Sequence, residues 1–449
     1  MPHVVLISTY ELGHQPFGLA SPAAWLEQAG ATVRCIDSAV EPLARGMLHD
    51  AVLIGLYVPM HTATRMAADL LPQLRAVAPA ALIVCYGLYA PLNEAFLRER
   101  GADACIGGEF EAALVELYQA ILRGERARPP LVNLDRLAFL VPQRAGLPHH
   151  TAYATMITAD GPLPTGYTEA SRGCKHTCRH CPIVPVYGGR FRVVPRDVVL
   201  EDIRRQVAGG VRHITFGDPD FLNGPGHALP LVHALHAEHP HLSYDVTVKV
   251  EHLLKHADLL PDLRDTGCIL VTSAIEALDD RILAIFDKRH TRADVAQAAQ
   301  LLRSVGLALN ATFVAFTPWT TRALYCDFLA AIADLDLIDS VSPIQYAIRL
   351  LVPAGSRLLE LADMQQYIGP FDPAALAYPW DHPDLALDRL QRAAIHLAQG
   401  SVPRGETRAD FYRQLLELTA AELGEAPRVA LEHRLARPPI PYMNEPWYC

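Results

Sequence analysis

The sequence predicts an α/β protein in three parts: an N-terminal doubly wound (Rossmann-like) domain, a partial (β/α)6 barrel, and a mostly helical C-terminal extension. Three patterns predict it. Short β-rich runs alternate with segments of helical period over the first 125 residues; the alternation resumes from Tyr167 to about Pro353 after a proline-rich stretch; beyond Gly369 the pattern is helical. A chain of 449 residues, 51% hydrophobic, exceeds one domain and can build sizeable cores. The expected divisions are 1–125, a linker at 126–165, the barrel at 166–368, and 369–449.

In the first part, strands are expected at His3–Thr9, Thr32–Asp37, Ala51–Tyr57 and Ala81–Tyr86, with a helix over Thr62–Val77. Gly107-Gly-Glu-Phe-Glu111 reads as a turn before another helix. In the barrel, the expected strands are Tyr167–Arg172, His213–Phe216, Ser243–Lys249, Cys268–Ser273, Leu309–Phe316 and Ser340–Leu350. Arg292–Val305 between them places Val295, Ala298, Leu302 and Val305 on one helical face. Active groups of such a barrel should collect at the C-terminal ends of its strands.

A formal charge of −10 and a pI near 6.0 supply no basic field for polyphosphate, so nucleic acid is not an expected partner. Met1–Tyr10 has no signal-peptide character and no apolar run reaches spanning length, which points to a cytoplasmic protein without a membrane partner. Nine cysteines, an odd number, read as reduced thiols. Only four of 39 basic residues are lysines, which is read as codon usage.

Cys174, Cys178 and Cys181 form a C-x-x-x-C-x-x-C triplet within Ser171-Arg-Gly-Cys-Lys-His-Thr-Cys-Arg-His-Cys-Pro182. Three thiolates so spaced can ligate three irons of a [4Fe–4S] cube and leave the fourth open to a small molecule. The same thiols with His176 or His180 would also suit a zinc knuckle, and with it an interaction protein without turnover, although no second C-x-x-C is present.

The triplet resembles the signature of the radical S-adenosylmethionine (SAM) superfamily, with His180 where an aromatic usually precedes the third cysteine. The resemblance implies a [4Fe–4S] cluster whose open iron chelates SAM, reductive cleavage of a sulfonium C–S bond, and an electron donor such as flavodoxin or ferredoxin. It implies that Gly217, Asp218 and Asp220 in Phe216-Gly-Asp-Pro-Asp-Phe-Leu-Asn223 hold the SAM amino group, the two acids otherwise being helix caps. It further implies that Ser273 and Glu276, which match an S-x-x-E element, lie at the SAM carboxylate and ribose hydroxyls. Lys249, at a strand end, suits a carboxylate partner or a solvated rim position. Arg289 and Arg349 offer guanidinium forks for a carboxylate or oxyanion, or surface ion pairs. Cys35, Cys85, Cys105, Cys268 and Cys326 read as core residues.

The first domain resembles the cobalamin-binding domain that precedes many such barrels, but its D-x-H-x-x-G loop is replaced by Glu11-Leu-Gly-His-Gln-Pro-Phe-Gly18. His14 is then either an axial cobalt ligand or a shaper of a substrate-facing loop. The ending Pro441-Tyr-Met-Asn-Glu-Pro-Trp-Tyr-Cys449 is expected to dock, and resembles the tail of a radical SAM group in which a second cysteine or a selenocysteine follows. That group includes enzymes of arsinothricin biosynthesis. The resemblance implies transfer of the 3-amino-3-carboxypropyl group of SAM to trivalent arsenic, with arsenite as small-molecule substrate and Cys449 delivering it; Cys449 is otherwise an incidental thiol. A cobalamin-dependent methyltransferase acting on an unactivated carbon is the alternative.

Overall fold

A computed structural model of the chain describes residues 3–125, 127–401, 404–429 and 440–445. Strands β1 (His3–Ser8), β2 (Thr32–Asp37), β3 (Ala51–Tyr57), β4 (Leu82–Tyr86), β5 (Ala104–Gly108) and β6 (Val132–Asn133) form one parallel sheet in the order β2-β1-β3-β4-β5-β6. Alternate residues of β1 feed two cores: Val5 and Ile7 meet helix His61–Val77 on one face, while Val4 and Leu6 meet helices Phe17–Gln28 and Glu111–Leu122 on the other. Helices on both faces explain why this sheet reads as continuous apolar runs.

The second sheet is the barrel. Parallel strands β8 (Gly161–Thr168), β11 (His213–Phe216), β12 (Ser243–Thr247), β13 (Cys268–Glu276) and β14 (Ala308–Phe313) are joined at the β8 edge by antiparallel β7 (Thr155–Thr158), and β7 by β15 (Tyr442–Met443). A small pair, β9 (Ser171–Gly173) with β10 (Phe191–Val193), carries the chain into the cysteine loop. Residues 126–165, expected as a linker, thus contribute strands to both sheets.

The expected sixth strand, Ser340–Leu350, forms no continuous ladder. Parallel bridges hold only its ends, Val341 to Ala311 and Arg349 to Phe316, with a 3-10 turn at Pro343–Tyr346 between them. Pro343 has no N–H to give a ladder, and the Gln345 side chain accepts the Phe313 N–H (2.8 Å) in place of a strand carbonyl. Helices Leu385–Ser401 and Arg408–Leu423 close the barrel's outer core through Leu387, Leu390, Phe411 and Leu415, so the C-terminal extension is part of the barrel's packing.

The two faces of the barrel sheet differ in chemistry. Ile214, Phe216, Tyr244, Val246, Val271 and Leu309 point to the helix-covered core. The intervening residues make the inner face polar. There His213 meets Ser243 (2.8 Å) and Asp245 (2.9 Å), Thr215 donates to Asp245 (2.6 Å), and Asn310 donates to Thr272 (3.3 Å).

Candidate functional site

The cysteine loop leaves the β9 strand through Gly173, whose φ of +69° no side chain favours; a Cβ there would stand 2.4 Å from the Arg190 carbonyl. From Cys174 onward the loop is fastened on two sides. The Arg179 side chain donates to the carbonyls of Ala284 and Ile285, and its backbone N–H donates to the Phe286 carbonyl, at the C-terminal end of helix Asp280–Phe286. Opposite, Ser356 donates to the Arg179 carbonyl (3.0 Å) and Arg357 to that of Thr177 (3.0 Å). The backbone of the loop is thereby fixed on both sides of Cys178.

Cys174 and Cys178 are buried, Cys181 is half-buried, and none of the described cysteines is in a disulfide. Burial raises the Cys174 thiol and pushes that of Cys181 up to about 12. Such thiols stay protonated until metal ligation displaces the proton. Donors are aimed at two sulfurs: the Asn223 amide lies 3.5 Å from Cys174 Sγ and the Lys249 ammonium 3.9 Å from Cys178 Sγ. Three clustered thiols with cationic and amide donors fit a three-cysteine iron–sulfur site.

Around this loop the lysines take on a meaning that composition did not disclose. Lys249 and Lys288 are buried, and Lys175 reaches the Asn223 carbonyl, so three of the four lysines border the cluster loop. Lys288 Nζ lies 3.4 Å from Glu276 Oε1, which also meets His180 Nε2 at 3.1 Å. Burial raises the Glu276 carboxyl, but Lys288 and His180 outweigh it and hold it at about 2. Glu276 has φ +75°, a conformation that non-glycine residues seldom adopt and that accumulates at functional sites. Nearby, His180 Nδ1, His290 Nδ1 and Asn223 Oδ1 are buried without a hydrogen-bond partner, an arrangement that suits a polar ligand such as SAM.

Gly217 is required by Tyr167, whose hydroxyl would lie 1.8 Å from a Cβ at that position. Asp218 is buried and accepts from Ser171 Oγ and from the Ala170 N–H (2.9 Å). Asp220 is buried beside His252 and His176. Ser273 donates to the Val248 carbonyl (2.8 Å), which joins two strand ends. Arg289 is 56% exposed with Asp287 at 3.8 Å, and does not join the group; its neighbour Lys288 turns inward instead. Arg349 is engaged by Asp388, the Trp380 carbonyl and the Trp380 ring (3.6 Å), tying the irregular sixth segment to helix Leu385–Ser401. Cys35, Cys85, Cys105, Cys268 and Cys326 are buried, and Cys449 lies outside the described residues.

Sequence reasoning passed over Lys288, His290, Asn223 and the polar inner face. The last had a signal: His213-Ile-Thr-Phe216 and Ser243-Tyr-Asp-Val-Thr247 alternate polar and apolar where a doubly covered parallel strand should be apolar throughout.

The crevice of a doubly wound sheet lies where strand order reverses, here between β1 and β3. Near it, Tyr57 at the end of β3, Tyr86 at the end of β4 and Phe110 after β5 pack together with ring centroids 4.9 to 5.9 Å apart, and the Tyr86 hydroxyl donates to the Gly18 carbonyl (2.8 Å). His14 is committed elsewhere: its ring packs on Tyr167 (4.9 Å), and burial drops its pKa to about 4. Arg144 holds Gln15 (2.8 Å), and the Ala154 N–H holds the Gly13 carbonyl (2.9 Å). These residues do not fit an axial cobalt site at His14.

Residues 168–321, which contain the cysteine loop and four of the barrel strands, match the radical SAM superfamily. Hopanoid C-3 methylase of Methylococcus capsulatus is 24% identical over 341 residues, 71% of this chain and 64% of that protein. The chain thus spans less than two thirds of that curated relative. Among solved structures, the cobalamin-dependent SAM radical enzyme OxsB, with aqua-cobalamin and SAM bound, superposes with a TM-score of 0.71 at 14% identity, over 89% of this chain and 66% of that one. The radical SAM methyltransferase TsrM from Kitasatospora setae gives 0.70 at 17% identity, over 95% and 96%. These likenesses establish a shared fold across both domains. The barrel segment thus carries the radical SAM match, which implies a [4Fe–4S] cluster and SAM as cofactors.

Proposed function

We propose that this radical SAM enzyme transfers a carbon group of SAM to a small-molecule acceptor held on the barrel's polar inner face. One observation carries the reading: Cys174, Cys178 and Cys181 are gathered beside two buried lysines and an ionised Glu276, at the end of a sheet whose inner face bears His213, Thr215 and Asp245. When bound, the reduced cluster supplies the single electron that splits a sulfonium C–S bond into a carbon radical and a thioether.

The protein's own residues bind and orient. Lys249 stands where a SAM carboxylate and the Cys178 sulfur can share its charge. Glu276 is fixed as an acceptor for ribose hydroxyls because Lys288 and His180 keep it ionised. Ser273 and Asp218 act as positioning residues, since their polar atoms are already engaged by the backbone or by Ser171.

Methyl transfer is the reading nearest the named relatives: a methylase, the cobalamin-dependent enzyme OxsB, and the methyltransferase TsrM, which has been solved with cobalamin bound. A second reading, 3-amino-3-carboxypropyl transfer to trivalent arsenic without cobalamin, is favoured by the departure of Glu11–Gly18 from the D-x-H-x-x-G loop and by the tail. That tail runs antiparallel along β7, and Glu445 meets the Tyr10 hydroxyl (3.0 Å) beside the His14 loop.

The test is anaerobic reconstitution, then reduction with SAM in the presence or absence of cobalamin and of arsenite, with a reduced flavodoxin or ferredoxin as donor. S-adenosylhomocysteine and 5′-deoxyadenosine that depend on cobalamin establish the first reading. Methylthioadenosine with an arsenic–carbon product establishes the second, and Cys449→Ser should then weaken product formation while SAM binding persists. Intact SAM under all conditions overturns both.

A further inference from the structure

Beside the cysteine loop three side chains from separate segments converge, among them Asp220, which the resemblance assigns to the SAM amino group. His176 lies in the loop between Cys174 and Cys178, Asp220 in the turn after β11, and His252 in the short helix after β12. All three are more than nine-tenths buried, at 8%, 0% and 7% exposure. His252 Nδ1 is 2.7 Å and His176 Nε2 is 3.6 Å from Asp220 Oδ2.

These same three atoms lack a hydrogen-bond partner: the Nδ1 of His252 is near the carboxylate but off the direction in which its N–H would donate. Asp220 Oδ1 receives only the Lys249 N–H at 3.5 Å. A fully buried carboxylate so poorly served carries a large desolvation cost unless a cation compensates it. Ligand atoms around a divalent ion at 2.0 to 2.1 Å lie about 3.0 to 3.4 Å from one another, and the two separations bracket that range.

We propose that His176, Asp220 and His252 form a second metal site for a divalent transition ion, zinc or ferrous iron by ligand type. Two imidazoles and one carboxylate are a donor set common to both ions and leave further positions for water. His176 Nδ1 faces Glu251 Oε2 at 3.6 Å, the carboxylate partner that metal-bound histidines usually keep. Glu251 in turn meets Lys249 (3.5 Å), which meets Cys178 Sγ (3.9 Å), so one chain of contacts joins this ion to the cluster. The ion fastens the cysteine loop to the ends of β11 and β12. The site stands apart from the choice of transferred group, and needs no SAM.

The experiment uses the full chain with its cluster reconstituted, and adds cobalt(II) as a probe while cluster iron is counted by elemental analysis. One equivalent of cobalt beyond the four cluster irons is expected, with weak visible d–d bands and no sulfur charge-transfer band. Asp220→Asn and His252→Gln should each weaken cobalt uptake at least tenfold while the cluster absorption remains. A Cys174/Cys178/Cys181 triple alanine chain should still take up the ion. Should the Asp220 and His252 variants fail to fold, anomalous scattering at the metal edge on the unaltered protein must place an ion between the three side chains. No uptake beyond the cluster, uptake unchanged in both variants, or an anomalous map empty at this position overturns the proposal.

Discussion

Arg172 stands two residues ahead of Cys174, and its guanidinium is bound by Glu109 of the first domain at 3.1 Å. Glu111 (2.7 Å) and Glu169 (2.7 Å) complete its shell, with the rings of Phe17, Phe110 and Phe139 about it. The acidic turn Gly107-Gly-Glu-Phe-Glu111 thus grips the strand that feeds the cysteine loop. Burial raises the pKa of both Glu109 and Glu169, so the shell depends on the one cation at its centre.

Removing that cation leaves several carboxylates buried without a partner. Arg172→Met is expected to destabilise the protein by about 3 to 5 kcal/mol and to uncouple the unfolding of the two domains. Arg172→Lys, whose single head cannot reach all three acids, should fall between. Denaturant unfolding followed separately in each domain checks this; a single unshifted transition would refute it.

Lys288→Met should cost about 3 kcal/mol near pH 7, because an ionised Glu276 would lose its main cation. The wild-type carboxyl sits at about 2 in the folded state against the usual 4.5, so the stability it contributes is present above pH 4.5 and is lost as pH falls through 2. In the variant, burial dominates and raises the carboxyl, so its stability should rise on acidification below neutral. Thermal melts from pH 3 to 8 distinguish the two slopes.

Lys249→Met removes a positive charge 3.9 Å from Cys178 Sγ, one of the three proposed cluster ligands. Reduction adds an electron there, so the cluster should become harder to reduce, by on the order of 60 mV for a tenfold change in a one-electron equilibrium. Spectroelectrochemical titration without SAM reads this directly. Cys178→Ala should abolish SAM cleavage altogether, and retained turnover would refute the cluster assignment.

His14 gives the interface an acid limb. Its folded value is about 4 against 6.5 unfolded, because burial disfavours the imidazolium. Between those values the unfolded chain binds the extra proton, so stability should rise with pH from 4 to 6.5, by up to about 3 kcal/mol. His14→Phe, which keeps the ring against Tyr167, should flatten that window; an unchanged acid limb would place the titration elsewhere.

Local patterns were legible. The three cluster cysteines lie within eight residues of one loop, and strands β2, β3 and β11 fall at the expected limits because apolar runs bounded by polar turns are a local property. The sixth barrel segment was not, because apolar content is the same whether a stretch ladders or, like Pro343–Tyr346, turns. Between Lys288 and Arg289 composition offers no choice either; the left-handed φ of Asp287 and Arg289 decides which side chain turns inward.

By itself the sequence determined the α/β alternation, the cysteine triplet and the chemistry it implies, since each is carried by neighbouring residues. Only the tertiary structure decided what faces the triplet. Lys249, Glu276 and Lys288 come from separate strand ends, the His176, Asp220 and His252 group from three segments, and the Arg172 clasp from two domains. Contacts between residues remote along the chain are set by how strands pair and sheets pack, and that spatial order has no counterpart in local spacing.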